Sequence, residues 1–258
     1  MIDQGVADEV LLLTGAINTS PKMANNQRSN SDLRRADYHE GLGHYIDTVP
    51  ARIKTILFCE NTNADLSDFE PFKARAAARG ITLELLSFQG ETSPELGKGI
   101  CEFEILDTAY RFLAQRFARE TFVWKITGRL LVKNIAAMIA SRPQDADIYV
   151  DMRSVPLIGE RLGGNDWAEM RMLGYRLGTY EDLLLGQGRR CGYVTEKGLF
   201  TLLQEARDTG AKIAPRYRVQ PRFKGICGGS NKDYESFEYR MKDNIRGVAR
   251  VVAPGLWL

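Results

Sequence analysis

Residues 122–140 read FVWKITGRLLVKNIAAMIA. A short apolar run closes on Lys125-Ile126-Thr127-Gly128-Arg129, and an amphipathic run follows. A run this short, bounded by a glycine turn, is expected as a buried strand over Thr121 to Ile126, with a helix over Asn134 to Ala140. The pattern repeats toward the N-terminus. Val10 to Leu13 ends in Thr14-Gly15-Ala16, Arg52 to Cys59 ends in Glu60-Asn61, and Ile81 to Phe88 gives a third strand. Between them lie expected helices at Leu33 to Asp47, at Asp65 to Arg79 with Ser67 or Asp68 as cap and Gly80 as stop, and at Glu102 to Glu120. Asp147 to Met152 is a fifth strand. Strands separated by helices of roughly 10 to 15 residues require crossover connections, which implies an α/β fold with a mostly parallel sheet flanked by helices.

The second half is looser. Helices are expected at Asp166 to Gly178 and Tyr180 to Leu185. A third opens at Thr195, carries Leu199, Leu202, Leu203 and Ala206 on one face, and stops at Gly210 before the strand-like Lys212-Ile213-Ala214. No repeat or long linker interrupts the chain. The expected organisation is one domain over 1–234 and a basic C-terminal extension over 235–258.

The 258-residue chain is 44% hydrophobic and 26% charged, with a formal net charge of +2, an ordinary balance for one large core. This charge, with a pI near 8.3, gives no global pull toward nucleic acid, so any anion site has to be local. The four cysteines show no CxxC spacing, which argues for plain thiols over a zinc site or redox pair. The stretch MIDQGVADEVLLLTGAI has acids where a signal peptide needs lysines, and its apolar run is too short to span a bilayer. A cytoplasmic protein is expected.

In open sheets of this kind ligands bind beyond the carboxyl ends of the strands. Thr14-Gly15, Glu60-Asn61 and Lys125 with Thr127-Gly128-Arg129 would converge there. Each tail alone is explained by turn chemistry; three on one rim point to a cleft. Gly97-Lys98-Gly99 before a helix could offer amides and an ammonium to phosphate, or be a flexible turn. Asp151 and Arg153 end the fifth strand, near a bound sugar and phosphate or as an ion pair with each other. Arg222-Phe223-Lys224, followed by Gly228 and Ser230, forms a basic glycine-rich loop able to fold over a diphosphate, or a solvated surface. Asp166 and Trp167 follow Gly163-Gly164-Asn165, and an indole suits stacking on an acceptor sugar; a core anchor is the alternative. The tail from Ile245 to Leu258 mixes arginines with Val248, Val251, Val252, Leu256 and Trp257, which suits an anionic bilayer, a dimer contact or packing on the core.

Thr195-Glu196-Lys197, then Gly210-Ala211-Lys212-Ile213 and Pro215, resembles a block of the GT-A glycosyltransferases. There an acidic motif opens a helix and is followed by Gly-x-Lys-Ile and a proline. GKGICE, KITGR and PRFKGICGGS also look like blocks of bacterial transferases of capsule and O-antigen synthesis. The resemblance runs through Ser230 and rests on motif order more than on any single motif. It implies a Rossmann-like GT-A fold, a nucleotide-sugar donor, a saccharide or lipid-linked acceptor, and Glu196 as the general base of an inverting transfer. The fourth strand of such enzymes ends in Asp-x-Asp, where this chain has Thr127-Gly128-Arg129. Arginine cannot hold a metal, but its planar guanidinium binds phosphate oxygens in pairs. The expectation is therefore a metal-independent transferase with no cofactor, its leaving diphosphate met by Arg129 with Lys125 or Lys98. A sugar-nucleotide pyrophosphorylase and a non-catalytic binding module are the alternatives.

Overall fold

The computed structural model describes residues 9–24, 26–155 and 165–252. Its first half runs β1 (Glu9–Gly15), α1 (Ser31–Thr48), β2 (Ile53–Glu60), α2 (Pro71–Ala77), β3 (Thr82–Ser87), α3 (Lys98–Ala114), β4 (Phe122–Thr127), β5 (Leu131–Val132) and α4 (Ile135–Ala140). Then come β6 (Ile148–Tyr149), β7 (Met152–Arg153), β8 (Trp167–Ala168), β9 (Met172–Arg176), α5 (Leu177–Leu183), α6 (Gly188–Cys191), α7 (Thr195–Asp208), β10 (Ile213–Ala214), β11 (Phe223–Lys224) and α8 (Phe237–Val252).

Seven strands form the central sheet in the order β10-β6-β9-β4-β1-β2-β3. All pair in parallel except β9, which is antiparallel to both β4 and β6. The expected α/β class with a largely parallel sheet is what the chain adopts. Every position of β1 is buried, because the two-residue period of a strand sends alternate side chains to opposite faces and both faces are covered. Leu11 and Leu13 join Tyr38, Leu42 and Tyr45 of α1. Val10 and Leu12 join Phe103, Leu106 and Ala109 of α3. The sheet is the middle of three layers, and its carboxyl rim is left for chemistry.

Three expectations need correction. Residues 166–178 are not a helix: they supply β8 and β9. Met172, Leu173 and Tyr175 are buried on both sides between β4 and β6, and an apolar run buried on both faces lacks the alternation that marks a strand. The helix expected over 65–79 divides, because Pro71 starts a new helix after a single 3-10 turn at Ser67–Phe69. The helix expected from Glu102 starts four residues earlier, after Gly97, whose φ of 104° suits only glycine.

The C-terminal helix α8 is attached in an unusual way. Phe237, Met241, Ile245, Val248 and Val252 fall on one face by their spacing and are all exposed. What fastens the helix is buried Arg250, which donates to both oxygens of Asp151 at 2.8 and 2.6 Å. Asp151 therefore pairs with α8 and not with Arg153, which instead lies 3.5 Å from Glu169. Breaking a buried pair strands a charge. Asp151→Asn should cost about 3 kcal/mol of stability and release α8 to limited proteolysis. Unchanged chemical denaturation would show that α8 is held by something else.

Candidate active site

The sheet rim carries one continuous cleft, formed by two pockets that share Lys98, Thr127, Arg129 and Gly228. One half reaches Thr14, Gly15 and Asn61; the other reaches Glu196 and Arg171. Of the expected donor residues, Thr14, Gly15, Asn61, Lys98, Thr127 and Arg129 thus face a common space. Three chain segments bring them there for separate reasons. The parallel register sets Thr14 beside Thr127. The turn Thr127-Gly128 closes by a hydrogen bond from the Gly128 amide to the Thr14 carbonyl at 2.9 Å. Gly97 lets α3 begin beneath the opposite wall, with Lys98 as its first residue.

Arg129 is half-buried, and its guanidinium donates to the Ile226 carbonyl. No carboxylate pairs with it among the described residues. The loop that supplies Ile226 arrives because β11 pairs antiparallel with β5, immediately after the Arg129 turn. Lys98 Nζ donates to the Gly228 carbonyl of the same loop at 2.7 Å. Burial, then the neighbouring Arg129 and Arg34, push its ammonium down to about 8. Arg34 of α1 is buried and donates to the carbonyls of Ala16 and Arg28 and to the Tyr38 hydroxyl. Three cations from three elements therefore crowd one cleft, a field that favours an anion.

The glycine-rich loop works differently from the expectation. Arg222 is exposed outside the cleft, and Lys224 Nζ donates to Glu40 at 2.8 Å. Ser230 is exposed as well. What the loop contributes is main chain: its carbonyls hold Arg129 and Lys98 in place. The loop approaches closely at Gly228, where a Cβ would sit 2.6 Å from Arg129 Nη2 and push the guanidinium aside. Cys227 lines the same wall. Burial would raise its thiol, but hydrogen bonds from Ser230, Tyr234 and the Gly229 and Ser230 amides bring it down to about 7.

Other expected residues have structural work. The fully buried Glu60 carboxylate accepts from the amides of Ile17, Thr62 and Ala64 at 2.8 to 3.1 Å and from the hydroxyl of Ser87 at 3.2 Å. It ties down the loops after β1 and β2 and does not line the cleft. Lys125 is fully buried; it pairs with Glu102 and donates to the Met170 carbonyl. A lysine so enclosed cannot reach a diphosphate. Asp166 accepts from Ser154 at 2.8 Å, and Trp167 lies half-buried in β8 opposite Arg153. Neither lines the cleft, and Gly163 and Gly164 beside them lie outside the described residues.

Glu196 sits in the first turn of α7, facing the cleft. Burial, with Glu169 and Glu102 adding repulsion, raises its carboxyl above the usual range. Thr195 does not cap this helix; its hydroxyl donates back to the Gly192 carbonyl at 3.0 Å. The helix is instead packed against α3 at Gly99, where an added Cβ would lie 1.8 Å from Thr195 Oγ1.

Sequence reasoning missed several neighbours. Arg34 left a trace, since it falls four residues before buried Tyr38 on the apolar face of α1. Glu102 was legible only as a helix-start acid, yet it accepts from Thr14 Oγ1 at 2.6 Å and pairs with Lys125. Arg171 and Glu169 form an ion pair at the start of β9 and were hidden by the expected helix. Glu91 lies on a loop with no local signal.

No family model matches the chain, and no curated protein matches it. Solved structures of similar fold do. The inositol-1-phosphate CTP transferase of T. maritima is 13% identical, with a TM-score of 0.48, and the match covers 93% of this chain and 98% of that one. A mannosyltransferase of Pyrobaculum calidifontis, solved with GDP-Man and Mn2+, is 11% identical, with a TM-score of 0.47 over 81% of this chain and 55% of that one. The nucleoside-diphosphate-sugar pyrophosphorylase of Vibrio cholerae RC9 is 13% identical, with a TM-score of 0.42 over 79% and 89%. At such identities the likeness is one of chain path, and the chemistry has to come from this chain's own side chains.

Proposed function

We propose that the protein is a GT-A-type glycosyltransferase that moves a sugar from a nucleotide-sugar donor to a saccharide acceptor in bacterial surface-polysaccharide assembly, with inversion and without a metal. The supporting observation is the meeting of Arg34, Lys98 and Arg129 in one rim cleft that also contains the half-buried Glu196. In this reading Glu196 takes the proton of the acceptor hydroxyl as that oxygen attacks the anomeric carbon. The bond from that carbon to the β-phosphate oxygen breaks, and the departing nucleoside diphosphate carries the electron pair. Arg129 and Lys98 meet the charge as it develops. They take the part a divalent ion would otherwise play.

Incubation with a panel of nucleotide sugars tests this. Nucleoside diphosphate released only with a saccharide acceptor, and unaffected by excess chelator, is the expected result. Loss in chelator restored by Mn or Mg would overturn the metal-free mechanism. Nucleoside triphosphate formed on adding pyrophosphate would make the protein a pyrophosphorylase, and binding without turnover a non-catalytic module.

The same reading places the protein at the inner face of the membrane. No helix among the described residues is long and apolar enough to cross one. The exposed stripe of α8, with Lys232 and Arg240 beside it, suits an anionic bilayer presenting a lipid-linked acceptor. Co-sedimentation with anionic but not neutral vesicles, lost in Ile245→Asp, is expected. A doubled solution mass without sedimentation would make the stripe a contact between two copies.

A further inference from the structure

Among the described residues four buried side-chain oxygens lack a hydrogen-bond partner, and three of them belong to one place. Asn26 Oδ1, Asn61 Oδ1 and Glu91 Oε1 are each sealed from solvent and unpartnered, and all three residues line the half of the cleft beyond Thr14 and Gly15. Buried polar atoms are nearly always paired, so a cluster of exceptions signals a missing partner. These exceptions share a sign, because all three atoms are acceptors.

The chemistry of Asn61 and Glu91 is fixed by their surroundings, and Asn26 is oriented by its pairing with Thr19. Asn61 is fully buried, and its Nδ2 donates to the Cys101 carbonyl at 3.3 Å. Flipping the amide would set oxygen against oxygen, so Oδ1 has to face away as an acceptor. Glu91 accepts from the Ser20 amide through Oε2 at 2.7 Å, leaving Oε1 over. Asn26 Nδ2 donates to Thr19 Oγ1 at 2.7 Å, which leaves the Thr19 hydroxyl hydrogen free to donate into the same pocket.

We infer that this half of the cleft selects a guanine base; the inference rests on the nucleotide-sugar reading above. Guanine presents a ring N1–H and an exocyclic amino group along one edge, three donor hydrogens for three acceptors, with O6 as a partner for the Thr19 hydroxyl. Uracil and thymine offer a single N–H flanked by two carbonyls, which would set oxygen against oxygen at two of the three positions. Cytosine and adenine offer only their amino group. Mismatched buried groups reject an analogue strongly, because they stay unpaired in the wrong complex.

Calorimetric titration of the full chain with GDP, CDP, ADP and UDP tests the assignment. GDP is expected to bind at least about tenfold more tightly than UDP. Glu91→Gln, which keeps the shape and the Ser20 contact, is expected to erase most of that preference, weakening GDP and strengthening UDP, because its amide can donate to a uracil carbonyl. Inosine diphosphate, which keeps N1–H and O6 but lacks the exocyclic amino group, serves as a second probe and should bind the unaltered protein more weakly than GDP. UDP, CDP or ADP binding as tightly as GDP, or a preference untouched in Glu91→Gln, would overturn the inference and leave the transferase reading standing. Absence of binding by all four would remove both.

Discussion

Replacing Glu196 by Gln is expected to lower turnover by about 100- to 10,000-fold, the usual range for a lost general base, while donor binding stays as it was. The amide keeps the size of the side chain in the first turn of α7 and loses only the ability to take a proton. The pH profile carries a sharper signature. A base acts when deprotonated, so kcat/KM should rise with pH through the Glu196 titration, displaced above the ordinary glutamate range by burial and by Glu169 and Glu102. Lys98 acts when protonated, so the profile should fall again as pH passes about 8. In Glu196→Gln the rising limb should vanish and the falling limb remain. Near-normal turnover in that variant would remove Glu196 from the mechanism.

Arg129→Ala is expected to reduce kcat by about 100- to 1,000-fold, as for loss of one preorganised charge donor at a leaving group. Arg129→Lys should recover only part of this, since an ammonium lacks the planar fork that engages two phosphate oxygens. Arg129 also holds the Ile226 carbonyl, so a purely structural role has to be told apart. Two readouts do so. Added guanidinium should rescue the alanine variant, and the falling limb of its pH profile should move upward, because Arg129 is one of the charges that depress Lys98. A variant with full turnover would leave the leaving-group charge to other residues.

Much of the fold was legible because its signals are local. The apolar runs ending in Thr14, Glu60 and Thr127 mark strands whose carboxyl ends share one rim, and Gly80 stops its helix at a φ of 68° as its position suggested. The strand β9 was not legible and read as a helix, since its apolar residues are buried on both faces and lack the alternation of a strand; its antiparallel sense is fixed by its neighbours β4 and β6. The cleft was legible in position but not in roles. Lys125, Thr127 and Arg129 lie within five residues, yet Lys125 is swallowed by the core while Arg129 stays half-open. Whether a lysine faces a ligand or a carboxylate depends on the half-buried Glu102, which lies on α3 and which no spacing connects to it. The same holds for Glu60, whose partners at Ile17 and Ser87 come from loops far apart in the chain.

The packing of Gly99 on Thr195 reaches further than two helices in contact. Lys98 and Glu196 are the residues next to that contact point, one on each helix. The separation between the ammonium and the carboxyl is thus gauged by main chain resting on side chain; in the proposed mechanism this is the distance between the group meeting the departing anion and the base. A single methyl group at position 99 would act as a spacer, widening the gap that a sugar ring has to bridge.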